Sequence, residues 1–185
     1  YNLGDIVTAR VTFKPVQAAS GNFQMDLLCG AAPVNFYRNG ISMAAGEEKV
    51  IESSLILMKD IIGENKGTCK IKAYFGPDYA LTNDFLISDL IIIESNLSKT
   101  EFNPGENILV KGTAIKENGN PANGFVELSL LDGNSSITSQ KATVNNGAFS
   151  ANITVPKKTK SGNYMLDIAA YEEDVSGAIT NHGSL

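Results

Sequence analysis

The sequence predicts an all-β protein built as two tandem antiparallel β-sandwiches. Three observations carry that expectation: an internal repeat, a two-residue alternation of apolar side chains, and turn signals at intervals of roughly 8–12 residues. The repeat is read most clearly from residues 102–133, FNPGENILVKGTAIKENGNPANGFVELSLLDG, a turn, a strand, a hairpin loop and a second strand. A weaker copy opens the chain. Tyr1-Asn2-Leu3-Gly4-Asp5 lies over Phe102-Asn103-Pro104-Gly105-Glu106, and residues 23–30 (FQMDLLCG) lie over 126–133 (VELSLLDG). Ala80-Leu81-Thr82-Asn83 matches Ala178-Ile179-Thr180-Asn181 at nearly the same offset. One module is therefore used twice, with domains expected at 1–88 and 89–185.

The strands follow in order. Residues 6–13 are rich in β-branched side chains after a Gly-Asp turn. Residues 23–29 alternate, with Phe23, Met25, Leu27 and Cys29 on one face and Gln24, Asp26 and Leu28 on the other. Residues 34–37 and 41–43 are short candidates. The stretch 48–62 has apolar spacing that suits a helix as well as a strand, and it is predicted as strand. Residues 67–75 alternate again, Cys69, Ile71, Ala73 and Phe75 against Lys70, Lys72 and Tyr74, before the Gly76-Pro77-Asp78 turn; residues 80–87 close the module.

The second module opens with residues 90–94 and the turn Asn103-Pro104-Gly105-Glu106, whose Pro-Gly pair suits type II. Strands at 107–115 and 125–131 flank the breaker cluster Asn118-Gly119-Asn120-Pro121. Strands at 136–144 and 148–155 flank Asn146-Gly147, a pair that tolerates positive φ at both positions and predicts a type I′ hairpin. Residues 162–171 alternate, a turn is expected at Asp174-Val175-Ser176-Gly177, and residues 178–185 form the last strand. Short strands with frequent turns and no sustained helical period argue for sandwiches.

Composition narrows the function classes. The chain has 185 residues, 43% of them hydrophobic, and a net charge of -5. That is a globular composition, and the scattered basic residues leave no footprint for a phosphate backbone, so no nucleic-acid partner is expected. The longest apolar run, residues 90–93, is far short of the roughly 20 residues that span a bilayer. With Tyr1 first and no initiator Met or signal peptide, the chain is expected to be either a processed secreted protein or part of a longer one.

The series F-N-P-G-E, G-x-x-x-x-x-N-G-N-P, G-F-V-E-L, N-G-A-F-S and S-G-N-Y-x-L-x-I-x-A-Y resembles the immunoglobulin-like domains of macroglobulin and bacterial-adhesin type. The resemblance covers residues 90–185 well and 1–88 in outline, where the turn proline and the Asn-Gly hairpin are missing. It implies two immunoglobulin-like sandwiches in a prokaryotic surface protein, used for spacing, display or assembly.

Few residues suggest chemistry. Cys29 ends one alternating strand and Cys69 stands near the start of another, so antiparallel neighbours would bring them together as a disulfide. Closing a loop of about 40 residues stabilises by roughly 4 kcal/mol in the chain-entropy treatment. The competing reading is two buried thiols, and a zinc site is disfavoured without nearby histidines. Asn96, Asn134 and Asn152 head N-x-S/T sequons, the first placed in the interdomain linker, the second in a turn and the third facing outward from a strand. Unmodified turn asparagines are the competing reading.

His182 is the sole histidine and falls near the end, so it supports no catalytic scheme. The acidic run Glu172-Glu173-Asp174, with Asp132, lacks the spacing of a calcium loop and reads as a solvated hairpin tip. Tyr37, Tyr74 and Tyr79 could line a carbohydrate patch or simply fill strand surface. No enzyme activity, cofactor or metal is expected. The expected role is a structural or adhesive module of an extracellular or cell-surface protein, with copies of itself or neighbouring immunoglobulin-like domains as partners. The alternative is a module that binds a cell-surface glycan or protein through loops at one end.

One asymmetry bears on assembly. The second module has a strand ahead of its Asn-Pro-Gly-Glu turn, whereas the first begins at the turn itself. The first module is therefore expected to lack its opening strand, and an open apolar edge calls for a strand from a preceding domain or another subunit.

Overall fold

The computed structural model describes residues 1–184, with side chains to Ile179. The chain divides into two compact units, Tyr1–Ser88 and Asp89–Leu185. Both are all-β apart from one helical turn in the first.

The first unit holds β1 (Ile6–Phe13), β2 (Ala19–Leu28), β3 (Val34–Met43), β4 (Lys49–Ile56), α1 (Lys59–Ile62), β5 (Gly67–Phe75), β6 (Asp78–Leu81) and β7 (Phe85–Ile87). One layer is the antiparallel pair β1-β4; the other runs β3-β2-β5-β6, with β7 also on β5. Alternation sets the inward faces: Val7 and Ala9 from β1, Phe23, Met25 and Leu27 from β2, Ile51 and Leu55 from β4, and Cys69, Ile71 and Ala73 from β5 are all buried. Burying such side chains supplies most of the driving force, about 1.5–3 kcal/mol for each large one.

Three stretches depart from the sequence reading. Residues 34–43 form one strand, because β3 keeps pairing with β2 across Gly40, with a bulge between the Met25/Tyr37 and Asp26/Asn35 pairs. The ambiguous stretch splits: strand where Ile51 and Leu55 alternate inward, then a helical turn that buries Ile62. Residues 80–87 split into β6 and β7, because Thr82 turns to Ile71, its N–H donating to the Ile71 carbonyl and its Oγ1 accepting from the Ile71 N–H at 2.9 Å.

The second unit holds β8 (Ile91–Leu97), β9 (Asn107–Lys116), β10 (Gly124–Asp132), β11 (Ser135–Asn145), β12 (Ala148–Thr154), β13 (Asn163–Glu172) and β14 (Val175–Ser184). Their order is β14-β13-β10-β11-β12-β9-β8, and β11 reaches β12 only through the hairpin pairs Val144/Phe149 and Asn145/Ala148. The seven strands thus fold over at that hairpin into two layers around Val110, Val126, Leu128, Ile153 and Ile168. Asn146 and Gly147 have φ of 48° and 76°, as the type I′ turn requires. The last hairpin turns at Glu173-Asp174, two residues earlier than the sequence suggested, because Val175 is buried and already pairs with Glu172.

The repeat is repeated in hydrogen bonds. In the first unit the Asn2 N–H donates to the Asp5 carboxylate, Asp5 N–H to Asn2 C=O, Gly4 N–H to Leu57 C=O and Leu57 N–H to Asp5 C=O. In the second, Asn103 donates to the Glu106 carboxylate, Glu106 to Asn103, Gly105 to Val155 and Val155 to Glu106. Gly4 and Gly105 hold φ of 92° and 87°, so Leu3-Gly4 makes the same turn without the proline. β1 therefore superposes on β9, Ile6 on Asn107, and β4 on β12.

Candidate functional site: the outer edge of β1

That equivalence locates a place where the two units differ in their strand pairing. In the second unit β8 lies antiparallel along the outer edge of β9, from Ile91 against Lys116 to Leu97 against Val110. Its Ile91 and Ile93 side chains are buried, and the Leu90–Ser176 bridge ties its start to β14. In the first unit β1 pairs with β4 alone, and no strand among the described residues lies on its other edge. The ladder begins with Leu57 N–H donating to Asp5 C=O. Antiparallel alternation then turns the backbone groups of residues 7, 9, 11 and 13 toward β4 and those of Ile6, Thr8, Arg10 and Thr12 toward the open edge.

Beside that edge runs a largely apolar groove whose lining includes Val11, Phe13, Phe23, Ala73, Phe75, Asp78, Tyr79 and Ala80. Phe13 and Phe75 meet across it at 5.1 Å between ring centroids. In the second unit the position of Phe13 is held by Ala114, fully buried.

The outer face of the β3-β2-β5-β6 layer carries the polar contacts. Tyr74 donates to Asp26 Oδ2 at 2.8 Å, and that bond, helped by burial and by the negative charge of Asp26, pushes the phenol above its ordinary range. Arg38 donates twice to Gln24 Oε1, at 2.8 and 2.6 Å. The Lys72 ammonium lies 5.4 Å from the Tyr74 ring centroid and 4.8 Å from that of Tyr79, whose side chain is 64% exposed. Tyr74 and Tyr79 are direct cross-strand partners. Tyr37 is not part of this face: it pairs with the buried Met25 and packs edge-on against Phe23.

Cys29 and Cys69 form a disulfide, Cα atoms 4.2 Å apart. The β2-β5 register runs Leu27/Ile71 and Leu28/Lys70, so the next facing pair is the two cysteines. Sequence reasoning missed Asn65, a buried residue whose Nδ2 donates to the carbonyls of Ala32 and Ile62 at 3.0 and 2.8 Å. It ties the end of α1 to the loop after Cys29, and only the fold reveals it.

Among the sequons, Asn134 lies in an exposed turn and Asn152 faces outward from β12, as expected. Asn96 is not in a linker: it is an exposed residue of β8, opposite Lys111, because pairing continues to Leu97. The acidic run is divided by use. Glu172 pairs with Lys116 at 3.1 Å and accepts the Asn123 N–H at 2.8 Å, while Glu173 is exposed at the hairpin tip. The His182 side chain lies outside the described residues.

Fold and edge together define a disulfide-bonded, two-unit all-β chain in which, among the described residues, no strand covers the outer edge of β1. No known protein family matches the chain, and no curated protein is similar to it. Among the described residues no helix is long and apolar enough to cross a membrane.

Proposed function

We propose that the chain is a structural or adhesive part of an extracellular or cell-surface protein, whose units join by strand addition at β1. The observation that carries this reading is the bare edge of β1 beside an apolar groove, at the position where the second unit has β8. Exposed edges of this kind template pairing with another chain segment. The Cys29–Cys69 disulfide supports an oxidising location. The resemblance to immunoglobulin-like domains of surface proteins supports the same setting. Donation from one unit to the next is heterologous and does not close, so it builds a filament or array.

Hydrogen exchange and electron microscopy on the protein isolated from its source test the reading. Slow exchange at Ile6, Thr8, Arg10 and Thr12, together with rows of joined units, is the expected result. Dispersed molecules in which those amides exchange freely refute it.

A second reading, a module that binds a glycan or protein, is favoured by the paired Tyr74 and Tyr79 rings around Lys72. Aromatic faces beside hydrogen-bonding groups suit sugar rings. Glycan-array binding that disappears on Tyr79→Ala would favour it; equal binding by the variant would exclude that face.

A further inference from the structure

Folding makes the three sequons unequal. We propose that Asn134, at the tip of the β10–β11 hairpin, is an N-glycan acceptor in the folded protein, taking its sugar from a glycosyl polyprenyl diphosphate, and that Asn96 and Asn152 stay unmodified. The proposal rests on the extracellular reading above, since acceptors of this kind belong to secreted chains, and it adds a modification site and its sugar donor.

Three observations support it. First, the hairpin tip is open. Residues 132–136 are all exposed, and the whole sequon Asn134-Ser135-Ser136 lies among them. Gly133 holds φ of 58°, which suits a two-residue turn with glycine first and sets Asn134 at its second position. The ladder is already interrupted beside the sequon: Leu130 faces Thr138 but Leu131 faces Ser136, so Ile137 is bulged out. The Ser136 hydroxyl, part of the acceptor signal, donates to the Thr138 carbonyl at 3.4 Å, too long for a firm hold.

Second, the other two sequons are built into ladders. Asn152, Ile153 and Thr154 pair with Leu109, Ile108 and Asn107, Ile153 belongs to the core, and Thr154 Oγ1 donates to Asn107 Oδ1 at 2.6 Å. Asn96 and Leu97 pair with Lys111 and Val110. A transferase has to draw the acceptor and the hydroxyl residue after it into its own site, so both segments must first leave the sheet, and Asn152 would bring a core side chain with it. Third, the first unit ties down the same place. The alignment of 23–30 with 126–133 sets Cys29 on Asp132 and Gly30 on Gly133, so Ala31 stands where the second unit has Asn134. There the bridge to Cys69 and the Asn65 amide on the Ala32 carbonyl hold the loop, whereas the second unit contains no cysteine.

The transfer is a substitution at the anomeric carbon of the sugar. Asn134 Nδ2 forms the new bond to that carbon, the carbon's bond to the phosphate oxygen breaks, and the polyprenyl diphosphate leaves with the bonding pair. One amide proton passes to a base of the transferase. Trypsin separates the three sequons into peptides 73–99, 117–141 and 142–157. Mass spectrometry of the full chain isolated from its source should show sugar on 117–141 alone. Folded full chain made without sugar, incubated with source membranes as transferase and donor, should likewise be modified on 117–141. Synthetic peptides 117–141 and 142–157 should both be modified, and transfer to Asn152 should be at least about tenfold slower in the folded chain than in its peptide, because its segment must open first. Ser136→Ala should remove the sugar from Asn134 without changing the melting temperature, and Ser136→Thr should retain it.

Asn134 bare in protein from the source overturns the proposal. Sugar on 73–99 or 142–157 of that protein overturns it too, because the fold would then not choose the acceptor. Equal transfer to Asn152 in the folded chain and in its peptide, or sugar on 117–141 that survives Ser136→Ala, is likewise fatal. The two readings fail separately. Asn134 bare with Cys29 and Cys69 recovered as a disulfide removes the modification and leaves the extracellular setting; Asn134 bare with both cysteines recovered as free thiols removes both.

Discussion

Removing the Cys29–Cys69 disulfide by Cys29→Ala with Cys69→Ala gives the sharpest energetic prediction. The bridge closes a loop with a sequence separation of 40. In the chain-entropy treatment such a loop reduces the entropy of the unfolded chain by about 13 cal/mol/K, or about 4 kcal/mol at 25 °C. That is a large share of the roughly 5–15 kcal/mol by which a domain is stable. Urea slopes for small domains are about 1–3 kcal/mol/M, so the first unit's midpoint should fall by between about 1 and 4 M. The assay is hydrogen exchange followed through a urea series, reading peptides of β2 and β5 separately from those of β10 and β13. The second unit contains neither cysteine, so its peptides are the internal reference. A midpoint shift below about 0.5 M in the first unit, or an equal shift in the second, would refute the reasoning. Reducing the wild-type protein should reproduce the variant.

Four further outcomes follow from particular contacts. Gly177→Ala puts a Cβ 1.7 Å from the Ile91 carbonyl oxygen, so it should push β8 from β14 and destabilise the second unit by about 1–3 kcal/mol in chemical denaturation. Asn65→Asp replaces an amide that donates to Ala32 and Ile62 with a buried carboxylate facing two carbonyls, and should lower the first unit's melting temperature through a loss of at least about 1–3 kcal/mol. The folded Tyr74 phenol titrates above its unfolded value, so its bond to Asp26 stabilises fully below about pH 10 and is lost as pH rises through the higher folded pKa. Urea midpoints should fall more steeply above pH 10 in wild type than in Tyr74→Phe, and parallel curves would contradict the assignment. Glu106 is held below the ordinary carboxylate range by Lys99 and by the Asn103 N–H, so its contribution is present above about pH 4.3 and lost as pH falls through the lower folded pKa. Protection at the 103–106 turn, taken relative to the intrinsic exchange rate at each pH, should fall on acidification in wild type and stay flat in Glu106→Gln.

Much of this architecture is legible without coordinates because it is carried by local signals. Alternation at 23–29 and 67–75 sets which residues face inward, and Asn-Gly at 146 and Asn-Pro-Gly at 103 dictate turns through backbone sterics. The repeated turn identifies equivalent strands, and that equivalence shows that the edge of β9 that carries β8 corresponds to the edge of β1 that carries no strand among the described residues. The disulfide was legible for the same reason: two alternating strands that pair antiparallel bring the end of one to the start of the other. Other features were decided only by tertiary contacts. Residues 48–62 carry spacing compatible with two periods, and the choice between them came from the partner: Leu55 pairs with Val7, while Ile62 is buried within a helical turn. β8 runs on to Leu97, and so takes Asn96 out of the linker, because Val110 waits opposite. The Tyr74–Asp26 bond joins residues far apart in sequence, and the buried Asn65 is explained by carbonyls its own segment does not predict. The groove beside β1 is of the same kind. Val11, Phe23 and Phe75 each read as ordinary strand residues, and only the assembly of three strands with nothing laid across them leaves an apolar channel at an open edge.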